Sequence, residues 1–175
     1  MGMTELSLLR KAARALATEN KQAATTVHLL AAVFDMGGPA HQLLAQRRLE
    51  KAGLMRAART FDETVDDALG MALAQAQQVA HRAAVPLHLT SRGVEQSTAA
   101  GSLHVLVALL SNRAYAAARA LQYCGVDVGK LRVAATRVAH GIIAPPRQPR
   151  TRSQAAAPPA RVSAPSRAPA RPAPA

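Results

Sequence analysis

One short stretch constrains this chain more than any other, because it occurs twice. Thr26-Val27-His28-Leu29-Leu30-Ala31-Ala32-Val33 returns as Ser102-Leu103-His104-Val105-Leu106-Val107-Ala108-Leu109-Leu110. Each copy opens with a hydroxyl residue, an apolar residue and a histidine, and then runs on almost unbroken in apolar side chains. Val27, Leu30, Ala31 and Phe34 match Leu103, Leu106, Val107 and Leu110 at i, i+3, i+4, i+7 spacing, one face of a helix. Leu29, Val33, Val105 and Leu109 make the opposite face apolar too. A helix apolar on all sides belongs inside a protein. The sequence therefore predicts two central helices, one in each half of a duplicated domain.

The repeat extends beyond these runs. An alanine-rich segment follows each, and then Leu-x-x-x-Gly, at Leu49–Gly53 and Leu121–Gly125. The distance from His to that Leu differs by four residues between the copies, which predicts one longer connection. Two long units indicate a duplicated domain rather than a solenoid of many short repeats. Repeat one is expected over about 4–58 and repeat two over about 62–140, within a domain spanning 1–143. Alanine and leucine dominate the apolar residues, there are only two Phe and two Tyr, and Trp is absent. Hairpin signals and β-branched runs are missing, so the fold class is all-α.

Helix punctuation follows the same plan. Thr4 can cap a first helix that buries Leu6, Leu9, Ala13 and Leu16, with Glu5 in its first turn. Thr25 or Thr26 caps the first central helix, Gly37-Gly38 stops it, and Pro39 suits the first turn of the next. That third helix is expected to bury Leu43 and Leu44 and to end near Gly53. Asp62, Glu63, Asp66 and Asp67 crowd the expected start of a long helix with His81 and Arg82 near its end, a polarity that suits the helix dipole. Residues 86–101 read as a long loop. Tyr115, Ala118 and Leu121 line a further helix closed by Gly125, and Asp127 caps the last, with Val128, Leu131, Ala135 and Val138 inward.

Composition changes abruptly at Ala144. Nine of the eleven prolines and six arginines lie in 144–175, without one acid. Such a segment buries too little apolar surface to offset chain ordering and is expected to be disordered. Residues 1–143 carry sixteen of the basic side chains against all ten acids, so the +12 net charge is shared about evenly between domain and tail. No charged segment followed by an apolar one opens the chain, so no signal peptide is expected. Neither apolar run reaches the ~20 residues that span a bilayer. The expected location is the cytoplasm, with no membrane contact.

The search for chemistry finds little. Cys124 stands alone, which excludes an intramolecular disulfide and a zinc-ligand pattern, and its apolar neighbours suggest a small buried thiol. Gly125 to Lys130 glances at a phosphate loop, but only three residues separate the glycines and Leu131 follows the lysine, so it reads as a helix connection. His28 and His104 lack further ligands at suitable spacing and read as packed, hydrogen-bonded side chains. No residue stands in a nucleophile motif. Neither a catalytic residue, a metal nor a cofactor is expected.

With these residues in view, the chain resembles the Clp N-terminal domain family, also called the Clp repeat or R domain. The shared pattern is hydroxyl-x-His-Leu-Leu-x-Ala-Leu followed by Leu-x-x-x-Gly, twice, over about residues 4–140. Residues 101–131 carry it best, and 84–101 resemble an insertion. The resemblance implies about eight helices in two pseudo-symmetric four-helix halves. It also implies a role in docking adaptors or substrates for ATP-dependent proteolysis, here without the ATPase. One branch of the family recognises phosphorylated arginine through a Glu directly before the His. Val27 and Leu103 occupy those positions here, so that property is not carried over.

The sequence thus points to a protein-interaction module that is accessory or regulatory to Clp proteolysis, with an unfoldase, adaptor or client as partner. The candidate partner-binding residues are Thr26, Val27, His28, Ser102, Leu103 and His104, whose surface either meets a hydrophobic peptide or helix, or is packed inside. The alternative is polyanion or nucleic-acid binding through the arginine-rich tail. Lacking aromatic rings for base stacking, the tail would bind nucleic acid without sequence preference.

Overall fold

The structure, a computed structural model, describes residues 4–83 and 100–142. The expected tail over 144–175 lies outside them, as does nearly all of the expected loop over 86–101. The described residues form eight helices and no strand: α1 (Glu5–Glu19), α2 (Thr26–Met36), α3 (Gly38–Ala45), α4 (Lys51–Thr60), α5 (Ala68–Ala83), α6 (Ser102–Ser111), α7 (Ala116–Tyr123) and α8 (Val128–Ala139).

The two central helices are where the repeat placed them. Val27, Leu29, Leu30, Ala31, Ala32 and Val33 of α2 have no exposed surface, and neither do Val105, Leu106, Ala108 and Leu109 of α6. The pair pack on each other. Helices α1, α3, α4 and α7 surround α2, while α5, α7, α8 and α3 surround α6. Exchanging α1 with α5, α2 with α6, α3 with α7 and α4 with α8 maps nearly every helix–helix contact onto another. The halves are therefore related by an approximate twofold that crosses the α2/α6 contact. Buried alanines at positions 13, 72 and 76 bring α1 and α5 close to their central helices.

Helix ends explain where the sequence reading of the repeat slipped. Leu49–Gly53 is not the counterpart of Leu121–Gly125. Helix α3 already ends at Ala45, and Gly53 lies inside α4. The α7 end is closed by Val126 N–H to Leu121 O and Gly125 N–H to Gln122 O, with Gly125 at φ +76°. The α3 end has the same pair, Leu49 N–H to Leu44 O and Arg48 N–H to Ala45 O, with Arg48 at φ +54°. Both are Schellman ends, which need one left-handed residue and join an apolar residue after the turn to one in the last turn. Leu44 thus corresponds to Leu121, and Arg48 takes the glycine's place. The His-to-Leu distances then differ by one residue, and the expected longer connection disappears.

The start of α5 is a second correction. It begins at Ala68, so Asp62, Glu63, Asp66 and Asp67 precede the helix instead of filling its first turn. Elsewhere the expected punctuation holds. Thr4 caps α1 and accepts from Ser7 N–H at 3.4 Å, and Asp127 caps α8 by accepting from Lys130 N–H at 3.0 Å. Gly37 and Gly38 both have positive φ at the α2–α3 junction, with Pro39 directly behind them.

A left-handed conformation costs a non-glycine residue about 1–2 kcal/mol. A Cβ added at Gly125 would meet nothing within 4 Å, so Gly125→Ala should lower stability by about that strain alone. Arg48→Gly should lose no stability, because the relief of backbone strain offsets the added chain entropy. Urea denaturation of both variants checks the pair; a neutral Gly125→Ala would refute the left-handed assignment.

Candidate functional site at the central helix N-termini

A buried helix must find partners for its first N–H groups, since no preceding turn supplies carbonyls. In α2 the N-cap is Thr25 and the third helical residue is His28. The His28 ring folds back so that its Nδ1 accepts from Thr25 N–H at 3.2 Å, and Thr25 Oγ1 sits 2.9 Å from the same nitrogen. In α6, His104 Nδ1 likewise accepts from Gly101 N–H at 3.1 Å. The two histidines do the work that Glu or Gln does in a capping box, reaching back to the backbone N–H of the cap residue. Accepting at Nδ1 leaves the proton of neutral His28 on Nε2, which donates to Gln22 Oε1 at 3.2 Å.

The next N–H in each helix is satisfied from the opposite half. Glu63 Oε2 accepts from Thr26 N–H at 3.0 Å and from Thr26 Oγ1 at 2.6 Å. Glu5 Oε1 accepts from Ser102 N–H at 2.7 Å. Each central helix therefore receives a carboxylate at its positive end, as the helix dipole favours. Gly101 makes the second contact feasible: a Cβ there would stand 2.9 Å from Glu5 Oε2. Glu63 also serves α7, its Oε1 accepting from Ala116 N–H at 3.1 Å while Thr26 Oγ1 accepts from Ala117 N–H at 3.0 Å. In the other half Pro39 stands where Ala116 does and has no N–H to satisfy.

This geometry sorts the six residues singled out in the sequence. Thr26, Val27 and His28 have no exposed surface and Ser102 is nearly as buried. In this conformation they hold the fold and do not face a partner. Leu103 and His104 are half-buried and remain at the surface. Carboxylates do reach both helix starts, but from Glu63 and Glu5 and not from the position before the histidine, and each is engaged with backbone N–H groups. Neither contact has a local sign in the sequence, because 37 residues separate Glu63 from Thr26 and 97 separate Glu5 from Ser102. Cys124 is half-buried, and burial raises its thiol above the ordinary value while nearby Arg56 pulls it down.

Among the described residues, no three His, Cys, Asp or Glu side chains are grouped to hold a metal ion, and no helix is long and apolar enough to cross a membrane. The chain matches no protein-family model, and no curated protein matches it significantly.

Burial pushes the His28 imidazole below its ordinary value. Burial also lowers His104, with the Glu5 carboxylate opposing and His140 adding to the shift. The unfolded chain therefore takes up these protons first on acidification, so stability decreases as the pH is lowered. The contribution is complete above about pH 6.5 and is progressively lost below it. Urea midpoints at pH 7.5 and 5.5 should show this fall. His28→Gln preserves a side-chain acceptor and should give a shallower pH slope; an unchanged slope would remove His28 from the account. Glu63→Ala strands N–H groups on α2 and α7 and should cost about 1–3 kcal/mol in the same measurement, against nearly nothing for exposed Asp66→Ala.

Proposed function

We propose that this chain is a protein-interaction module of the Clp N-terminal kind, accessory or regulatory to ATP-dependent Clp proteolysis. The observation that carries the reading is the twofold repetition of a four-helix unit around two buried helices, each opened by a histidine that back-bonds to its cap. Such a body is rigid at its centre, where the polar groups of the repeated motif are occupied with one another. Its outer helices are left to meet other proteins.

Affinity capture with the full chain from its native lysate tests this reading. A second bait has Arg147, Arg150, Arg152, Arg161, Arg167 and Arg171 replaced by Ser. Both baits should recover an unfoldase of the Clp type or its clients at moderate salt. Recovery by the unaltered chain alone, lost steeply as salt rises, would favour polyanion binding through the tail. Recovery of neither an unfoldase nor its clients would overturn the proposal.

A further inference from the structure

The approximate twofold creates two equivalent seams, α4 against α7 and α3 against α8. The matching Schellman ends set the correspondence between them residue by residue. Arg119 answers to Gln42, Tyr123 to Gln46, Arg56 to Val133 and Phe61 to Val138. One seam thus carries two guanidinium groups and two aromatic rings where its mate carries amides and valines. Because the α3/α8 seam closes without them, helix packing does not require the cationic and aromatic set at α4/α7.

That set is organised at the surface. Phe61 and Tyr123 meet edge to face with centroids 5.7 Å apart, and Tyr123 remains 67% exposed. The Arg119 guanidinium lies 5.7 Å from the centre of the Phe61 ring and donates to Asp62 O at 2.5 Å. Its Nε is buried without a hydrogen-bond partner. Beside the rings lies an open cleft lined by Arg48, Leu49, Arg56, Tyr123 and Cys124, with Glu50 also in its wall. Arg48 and Arg56 are exposed, and neither forms an ion pair with a carboxylate among the described residues.

We infer that the α4/α7 seam is a docking surface for an acidic peptide segment of a protein partner, one that carries an aromatic or aliphatic side chain among its acids. Tyr123 supplies the platform for that side chain, and Arg48 and Arg56 supply the charge. Tyrosine and arginine together are the residue types that concentrate binding energy at protein interfaces. Charge complementarity selects the occupant. The chain's own tail holds no acid, and residues 84–99 hold only Glu95, so neither offers an acidic run. This inference rests on the reading of the chain as an interaction module and names the chemistry of the partner.

The test uses the full chain and a short fluorescein-labelled peptide of Glu and Asp around one central Phe, read by fluorescence anisotropy. Saturable binding is expected. Arg48→Glu with Arg56→Glu, and separately Tyr123→Ala, should each weaken it about tenfold. Exchanging the peptide's Phe for Ser should weaken binding to the unaltered chain but cause little further loss in the Tyr123→Ala variant. The chain with six tail arginines replaced by Ser should bind as the unaltered one does. Circular dichroism checks that the variants remain folded; melting should be unchanged for the exposed Arg48 and Arg56, and Tyr123→Ala should lower it only slightly through the lost contact with Phe61.

Unaltered affinity in the seam variants, or loss only in the tail variant, would overturn the inference. So would equal displacement of the peptide by duplex DNA at the seam, or concentration-dependent self-association that Arg48→Glu with Arg56→Glu abolishes. The first outcome would favour a polyanion and the second a second copy of this chain. If affinity capture still recovers an unfoldase or client while the seam variants bind normally, only the seam assignment falls.

Discussion

Two helices sealed inside a protein leave their first backbone N–H groups with nowhere to turn for water. This constraint shapes the structure around α2 and α6. Each helix answers it twice: a histidine three residues past the cap bends back to the cap's own N–H, and a glutamate from the opposite half accepts from the next. An unpaired buried donor costs about 1–3 kcal/mol, so these contacts specify how the halves meet as well as stabilising them. Apolar packing would tolerate small rotations of one half against the other. A carboxylate set 2.7–3.0 Å from a particular N–H tolerates much less.

The network is symmetric in function but not in its parts. Glu5 is the first residue of α1, whereas Glu63 lies five residues ahead of α5. Thr25 caps one central helix and Gly101 the other, because Glu5 passes where a Cβ at 101 would stand. Glu63 also satisfies Ala116, while the matching Pro39 has no donor to satisfy. The duplication therefore constrains what each position must accomplish and leaves open which residue accomplishes it. Outside the core even that requirement relaxes. The two outer seams share helix geometry but differ in chemistry, and the divergence at Arg56, Phe61, Arg119 and Tyr123 concentrates charge and aromatic surface on one of them.

Helix-forming periodicity was legible wherever the signal was local. The apolar faces of α2 and α6, the Thr4 and Asp127 caps, the Gly37-Gly38 break and the basic end of α5 all lie within a few residues of the feature they specify. The repeat register failed where a local sign misled: Gly53 looked like a helix terminator, yet Arg48 adopts the left-handed turn that glycine usually supplies. The acid cluster ahead of α5 misled in the same way. One of its members, Glu63, spends its charge on α2 and α7. Of the six candidate partner residues, Thr26, Val27, His28 and Ser102 are buried in the fold, and Leu103 and His104 are half-buried.

The amino-acid order by itself determined that the described residues are helical, doubled, and centred on two helices too apolar to face water. Those properties follow from spacing within single turns of helix, and single turns are written in neighbouring residues. Only the tertiary structure decided that Glu5 and Glu63 cross between halves, that Leu44 and not Leu49 answers to Leu121, and that Tyr123 shares a seam with Phe61 and Arg56. Each of those facts joins residues far apart in the chain or depends on a backbone angle that side-chain identity does not fix.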